Sequence, residues 1–153
     1  MKTAHHFAAA LLAPVLALSE AIAERPSSPE APETPRAVVD AFHQALEAGS
    51  SADVLSLLTR NVVFFEMGAA ENSRREYEQM HLASDVRQAK RAKLRRLSRR
   101  VSGSKDVRWV LSVYRIEDGT NVNARMAETV ILRNKSGKWR IAHIHWSETP
   151  FSP

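Results

Sequence analysis

The sequence predicts an α+β fold in which a block of helices packs on one face of a curved, antiparallel sheet. Three observations predict it. Up to about residue 85 the apolar residues recur mainly at helical spacing. From about residue 90 they alternate with period two. The later strands follow one another through short turns, which argues for a meander rather than a parallel sheet. A curved sheet lined by helices encloses a concavity, the usual place for a small ligand.

The chain has 153 residues and a net charge of +5. Lys2 precedes an apolar run from Phe7 to Leu18, and Ala21-Ile22-Ala23 fits a small-x-small cleavage rule. The run is well short of the roughly 20 residues that span a bilayer. Residues 1–23 therefore read as a signal peptide cleaved after Ala23, and the protein as periplasmic or secreted. No transmembrane anchor is expected after cleavage. There is no cysteine, which excludes disulfides, thiolate catalysis, Cys-ligated metal and a lipoprotein anchor. Residues 24–34 form a Pro-rich linker, with a proline every third residue from Pro26 to Pro35, the spacing of an extended spacer. One domain follows, over residues 35–149.

Thr34-Pro35 opens the first helix, since Thr caps and Pro loses no bond at the first helical position. Val38, Phe42, Ala45 and Leu46 mark its apolar stripe, and Gly49 ends it. A short second helix from Ser51 carries Val54, Leu55, Leu57 and Leu58. The β-branched and aromatic run "NVVFFE" (61–66) reads as a strand, followed by a flexible "MGAAEN" loop. A third helix covers 72–85. There Ser73 and Glu76 form a capping box, and Tyr77, His81 and Asp85 share a face.

In "DVRWVLSVYRI" (106–116), Val107, Trp109, Leu111 and Val113 alternate against Arg108, Val110, Ser112 and Tyr114. Asp118-Gly119 marks a hairpin turn, residues 121–134 the returning strand, and "KSGK" the next turn. The last strand, "GKWRIAHIHWS", puts Trp139, Ile141, His143, His145 and Ser147 on one face by simple alternation. Arg140, Ala142, Ile144 and Trp146 take the other. Both faces are partly apolar, so both are expected to be covered, one at the cavity and one against a second subunit. The run "KRAKLRRLSRR" (90–100) has seven basic residues in eleven. As a helix it would be basic and amphipathic. As a strand it would place Leu97 and Val101 on one face, Leu94 on the other, and a charged face toward solvent. The strand is adopted, with a weak attraction to anionic surfaces; nucleic acid is not expected for an exported chain.

This layout resembles the NTF2-like (cystatin-like) cone shared by nuclear transport factor 2, ketosteroid isomerase and SnoaL-like polyketide cyclases. "GKWRIAHIHWS" is similar to the G-x-W-x-I-x-H-x-H-x-S closing strand of SnoaL-like proteins, and the association domain of calmodulin-dependent kinase ends similarly. "FFEMGAAENSRREYEQMHLASD" is similar to the strand, loop and helix of exported members that read S-R-x-E-Y…H-H-L-x-x-D, with Met80 in place of the first histidine. The resemblance spans about residues 35–148. It implies three N-terminal helices on the sheet, a cone-shaped pocket, a small-molecule ligand and a homodimer, with no cofactor. It fixes no activity, because such folds host enzymes and binding modules alike. Isomerase-, cyclase- or hydrolase-type acid–base chemistry and ligand binding alone both stay open.

The ligand-pocket candidates are Glu66, Tyr77, His81, Glu128, His145 and Trp146. Glu66 ends a strand. Glu128 lies among apolar strand residues, where desolvation raises a carboxyl's pKa unless the group is paired. Its plainer reading is a salt bridge to an arginine of the neighbouring strand. Tyr77 and His81 would donate hydrogen bonds. An alternative is a zinc or copper site of His81, Asp85, His143 and His145, which needs three or more ligands to converge at about 2.0–2.2 Å. A third reading is a non-catalytic interaction module.

Overall fold

A computed structural model describes residues 33–119 and 122–150. The signal segment, the linker to residue 32 and turn residues 120 and 121 lie outside the described residues. The helices are α1 (Pro35–Ala48), α2 (Ser51–Ser56), α3 (Arg74–Met80) and α4 (Leu82–Arg91). The strands are β1 (Leu58–Glu66), β2 (Ala69–Glu71), β3 (Ala92–Gly103), β4 (Val107–Asp118), β5 (Val122–Lys135) and β6 (Lys138–Pro150). The sheet order is β2-β1-β6-β5-β4-β3. β3 to β6 form the expected meander, β2 is antiparallel to β1, and β1 alone pairs in parallel, with β6.

Local chemistry sets these boundaries. Thr34 caps α1, its Oγ1 accepting the Ala37 N–H at 3.2 Å, and Pro35 follows. Ser73 Oγ accepts the Glu76 N–H at 3.1 Å, while Glu76 reaches back to the Asn72 N–H at 2.8 Å. The third helix departs from the expected single element over 72–85. It breaks at His81 (φ −122°, ψ −34°) and resumes as α4 to Arg91, giving four helices among the described residues. The expected loop after Glu66 is instead a hairpin. Glu66 pairs with Ala69, and the two turn residues, Met67 and Gly68, both have positive φ, as a type I′ turn requires. Ser136-Gly137 makes the same kind of turn between Lys135 and Lys138.

All four helices cover one face of the sheet. Val38, Val39, Phe42 and Leu46 of α1 pack with Val62, Phe64, Val110, Val130, Leu132, Ile141 and Ile144 into the core. Each such side chain contributes roughly 1.5–3 kcal/mol on burial. Among the described residues, the outer face is left partly open. Phe65, Leu97, Trp109 and Leu111 stay 37–48% exposed.

Two bulges change which residues face inward. In β3 the register shifts between Arg96 and Ser98, leaving Leu97 exposed. Leu94 and Val101 both pack against the core, so Leu97 and Val101 do not share a face. In β6, Leu132 pairs with Ile141 but Ile131 pairs with His143, so Ala142 is the extra residue. The alternation reverses there. Trp139 and Ile141 point inward, and so do Ile144 and Trp146. His143 and His145 therefore stand on the outer face, where both rings meet the edge of Phe65. The single-face reading of Trp139, Ile141, His143, His145 and Ser147 is corrected by that one inserted residue.

Candidate functional site

One row of side chains crosses the inner face. Arg99, Ser112, Glu128, Trp146 and Glu66 stand opposite one another on β3, β4, β5, β6 and β1. Helix α1 lies over the middle of this row, and α3 and α4 flank the Glu66 end.

Glu128, 3% exposed, is the row's centre. One carboxylate oxygen meets His43 Nε2 at 2.7 Å and accepts from Trp146 Nε1 at 3.0 Å. The other accepts from the Tyr114 hydroxyl at 3.2 Å. That hydroxyl accepts from Arg99 Nη2 at 2.7 Å, and Arg99 Nη1 bonds Asp40 at 2.6 Å. Arg99 Nε donates to Ser112 Oγ at 3.1 Å. Burial alone would raise the Glu128 pKa. The His43 interaction and the bonds from His43, Trp146 and Tyr114 outweigh it and hold the carboxyl below its usual range. The partner is thus a helix histidine, not the expected strand arginine. Arg99 reaches Tyr114 instead.

The other end of the row is built differently. The Tyr77 ring stacks on Phe64 at 3.8 Å between centroids, and its hydroxyl donates to Asp85 at 2.7 Å. Burial, then the Asp85 charge, pushes the Tyr77 pKa far up, so it remains a donor. Burial also raises Asp85, although the Tyr77 bond and His81 offset part of this. His81 Nδ1 pairs with Glu71. Glu66 sits among these groups. Burial first, then the Asp85 and Glu148 charges, lifts its carboxyl from 4.5 to about 7.

Glu66 and Asp85 line a cleft between α1, α4 and the sheet, with Leu46, Ala89, Leu94, Met126 and Trp146 as its apolar wall. The space in it that water can reach is about 60 Å³, and it opens to solvent at the mouth. His43 lines it too, backed by Glu128. Such a cleft suits an apolar body with one polar group placed against an acid–base carboxyl.

Of the predicted pocket residues, Glu66 and Trp146 line the cleft. Glu128 lies directly behind His43 and Trp146, Tyr77 supports Asp85, and His81 pairs with Glu71 at the same end. His145 does not join them, because it lies on the outer face. The metal set fails to converge for the same reason: His81 and Asp85 are on the helix side, His143 and His145 across the sheet. Among the described residues no group of three or more His, Asp or Glu is arranged to hold a metal ion. Sequence reasoning missed His43, Tyr114, Arg99, Asp40 and Glu148. The available signal for His43 was a histidine directly after the core residue Phe42, at the border of the α1 apolar stripe.

Comparison with known proteins fits this architecture. A protein from Shewanella frigidimarina provisionally described as a ketosteroid isomerase is similar over 72% of this chain and 91% of its own, with 29% identity and a TM-score of 0.69. An NTF2-like protein of unknown function from Pseudomonas putida has a TM-score of 0.65 and 19% identity over 76% of this chain and 84% of its own. A domain from Thiobacillus denitrificans, provisionally described as a calcium/calmodulin-dependent protein kinase type II association domain, has a TM-score of 0.68 and 22% identity over 80% of this chain and 98% of its own. No curated protein matches the sequence. The SnoaL-like domain profile matches residues 36–152, and by that match the chain belongs to the SnoaL-like family of NTF2-like proteins.

Proposed function

We propose that the protein binds a small, mainly apolar molecule in the cleft and that Glu66 exchanges a proton with it. The observation that supports this best is Glu66 itself. It is a carboxyl fixed on a strand, beside an apolar wall, with a pKa lifted to about 7. A group poised near the working pH can both take and return a proton. The similar Shewanella protein, described as a ketosteroid isomerase, suggests a carbonyl compound with an acidic C–H beside it. The chain's own contribution would be to bind the body against Trp146 and Met126 and hold the C–H at Glu66.

The test is a panel of apolar ketones, steroid ketones included, incubated with the protein in D₂O. Deuterium uptake beside the carbonyl, read by mass spectrometry, is expected. Glu66→Gln should leave binding within about threefold and slow exchange about 10²-fold or more. Unchanged exchange in the variant, or no binding by any member, would refute the reading.

The outer sheet face favours a second, compatible reading, a homodimer. Phe65, Trp109 and Leu111 are exposed there as apolar or aromatic groups that monomers usually cover when contiguous. Light scattering should give twice the monomer mass, and Trp109→Lys with Leu111→Lys should give the monomer. A monomeric wild type at micromolar concentration would rule this out. We also propose export, with Glu24 as the first residue of the mature chain. Intact-mass analysis of the exported protein checks it, and a product retaining Met1 would contradict it.

A further inference from the structure

The lining of the cleft is acidic in a chain that is basic overall. Glu47, Glu66, Asp85 and Glu148 line it, and no Lys or Arg does. The whole sequence carries a net charge of +5. These carboxyls come from four elements, α1, β1, α4 and β6, so the fold gathers them at one cavity rather than along one surface stripe. The nearby histidines are already engaged: His81 with Glu71 and His43 with Glu128. Arg87, Lys90 and Arg91 belong to a wider outer recess that shares only Gln88, Ala92, Ile116 and Glu148 with the inner cleft. Lys90 is turned aside, since a Cβ on Gly49 at the end of α1 would strike its ammonium group. Those three cations are close to solvent and screened over about 8 Å. Of the carboxyls, Glu66 is half-buried and Asp85 buried, so these two act on a ligand through less water, while Glu47 and Glu148 are exposed.

We infer that the cleft selects an amphiphilic cation: an apolar body that rests on Trp146, Met126 and Leu94, with an ammonium-type group placed between Glu66, Asp85 and Glu148. This rests on the cleft reading above and names its ligand class. A carbonyl-bearing amine satisfies both, whereas a neutral ligand leaves the like charges of the cleft uncompensated.

The experiment uses three fluorescent probes with one dansyl body and an ammonium, a hydroxyl or a carboxylate tail. Energy transfer from tryptophan reports binding, and Ala89→Phe, which fills the cleft wall, reports whether the cleft is the site. The overall charge of the chain favours the carboxylate probe, so preference for the ammonium can arise only locally. The ammonium probe should bind at least tenfold tighter than the hydroxyl probe. Ala89→Phe should abolish this binding, and Glu66→Gln with Glu148→Gln should erase the preference while keeping the hydroxyl probe within threefold. Equal binding of the ammonium and hydroxyl probes, or tightest binding of the carboxylate, overturns the ligand class and leaves the cleft reading standing. No binding by any probe to the folded wild type overturns both. The wild-type comparison alone decides the class if a variant fails to fold.

Discussion

Glu128 and Glu66 stand on either side of Trp146 in one cross-strand row, yet their chemistry diverges. Glu128 is the more deeply buried, and its carboxyl is held below the ordinary range. Glu66 is only half-buried and is lifted to about 7. Burial therefore does not decide the sign; partners do. Glu128 receives three hydrogen-bonding groups aimed at a charge, from α1, β4 and β6. Glu66 faces three other carboxyls and a histidine already paired with one of them. The same sheet thus makes one carboxylate structural and leaves the other titratable.

The strongest way to break this comparison is to remove Glu128. Glu128→Leu leaves His43, the Trp146 N–H and the Tyr114 hydroxyl without their common acceptor. Breaking a buried pair on one side costs about 3–5 kcal/mol, and chemical denaturation should show a loss of that size. Glu128→Gln keeps the shape and should cost clearly less. The pH dependence has a definite sign. A lowered folded pKa gives stability that is present above the unfolded value of 4.5 and lost as pH falls through the folded value. Wild type should therefore lose stability on the acid side relative to Glu128→Gln. A Glu128→Leu loss under 1 kcal/mol would show that the network is not a buried pair at all.

Glu66 should show the opposite limb with a smaller amplitude. Its raised folded pKa gives stability that is complete below pH 4.5 and lost as pH rises through about 7. Glu66→Gln removes that loss. The two proteins should match near pH 4, and the variant should be more stable at pH 8 by about 1–2 kcal/mol. This is less than the ~1.4 kcal/mol per pKa unit expected at full burial, because water screens a half-exposed group. Asp85 and Glu148 are also raised, so the difference between the two curves, not the wild-type curve alone, isolates Glu66. A variant no more stable than wild type at pH 8 would show that Glu66 titrates normally.

Much of the fold was legible because it rests on local signals: the Thr34-Pro35 cap, the Ser73 box, the Ser136-Gly137 turn and the period-two alternation. The site was only half legible, and the reason is geometric. Counting outward from Lys135 opposite Lys138 pairs Glu128 with His145. That count would set His145 beside the buried Glu128. The Ala142 bulge adds one residue and brings Trp146 there instead. No residue type in "RIAHIHW" announces such a bulge, because it follows from how β6 joins β1 and β5. The inner face of β4 was obscured for a different reason. Trp109, Leu111 and Val113 are more apolar than Val110, Ser112 and Tyr114, so composition points the wrong set inward. The polar set is inward because Arg99, Tyr114 and Glu128 satisfy one another there.

The smallest expected effect sharpens the same contrast from across the sheet. His143→Asn with His145→Asn changes two residues only a strand's thickness from Glu128 and Trp146, but on the outer face. Burial pushes the His143 pKa down, partly offset by a hydrogen bond with the Val63 backbone and helped by the neighbouring His145, so near neutral pH its substitution by Asn removes no charge. Both rings make T-shaped contacts with Phe65, which Asn leaves more exposed, and His143 also bonds the Val63 backbone. Surface changes of this kind stay within about 0.5 kcal/mol. Monomer stability should therefore change by no more than that, and binding of the dansyl probes in the cleft should be unchanged. Any effect should fall on self-association through Phe65 and Trp109. A tenfold loss of cleft binding in the double variant would mean that the histidines reach the ligand, and that the Ala142 bulge does not turn them outward as the pairing of Ile131 with His143 requires.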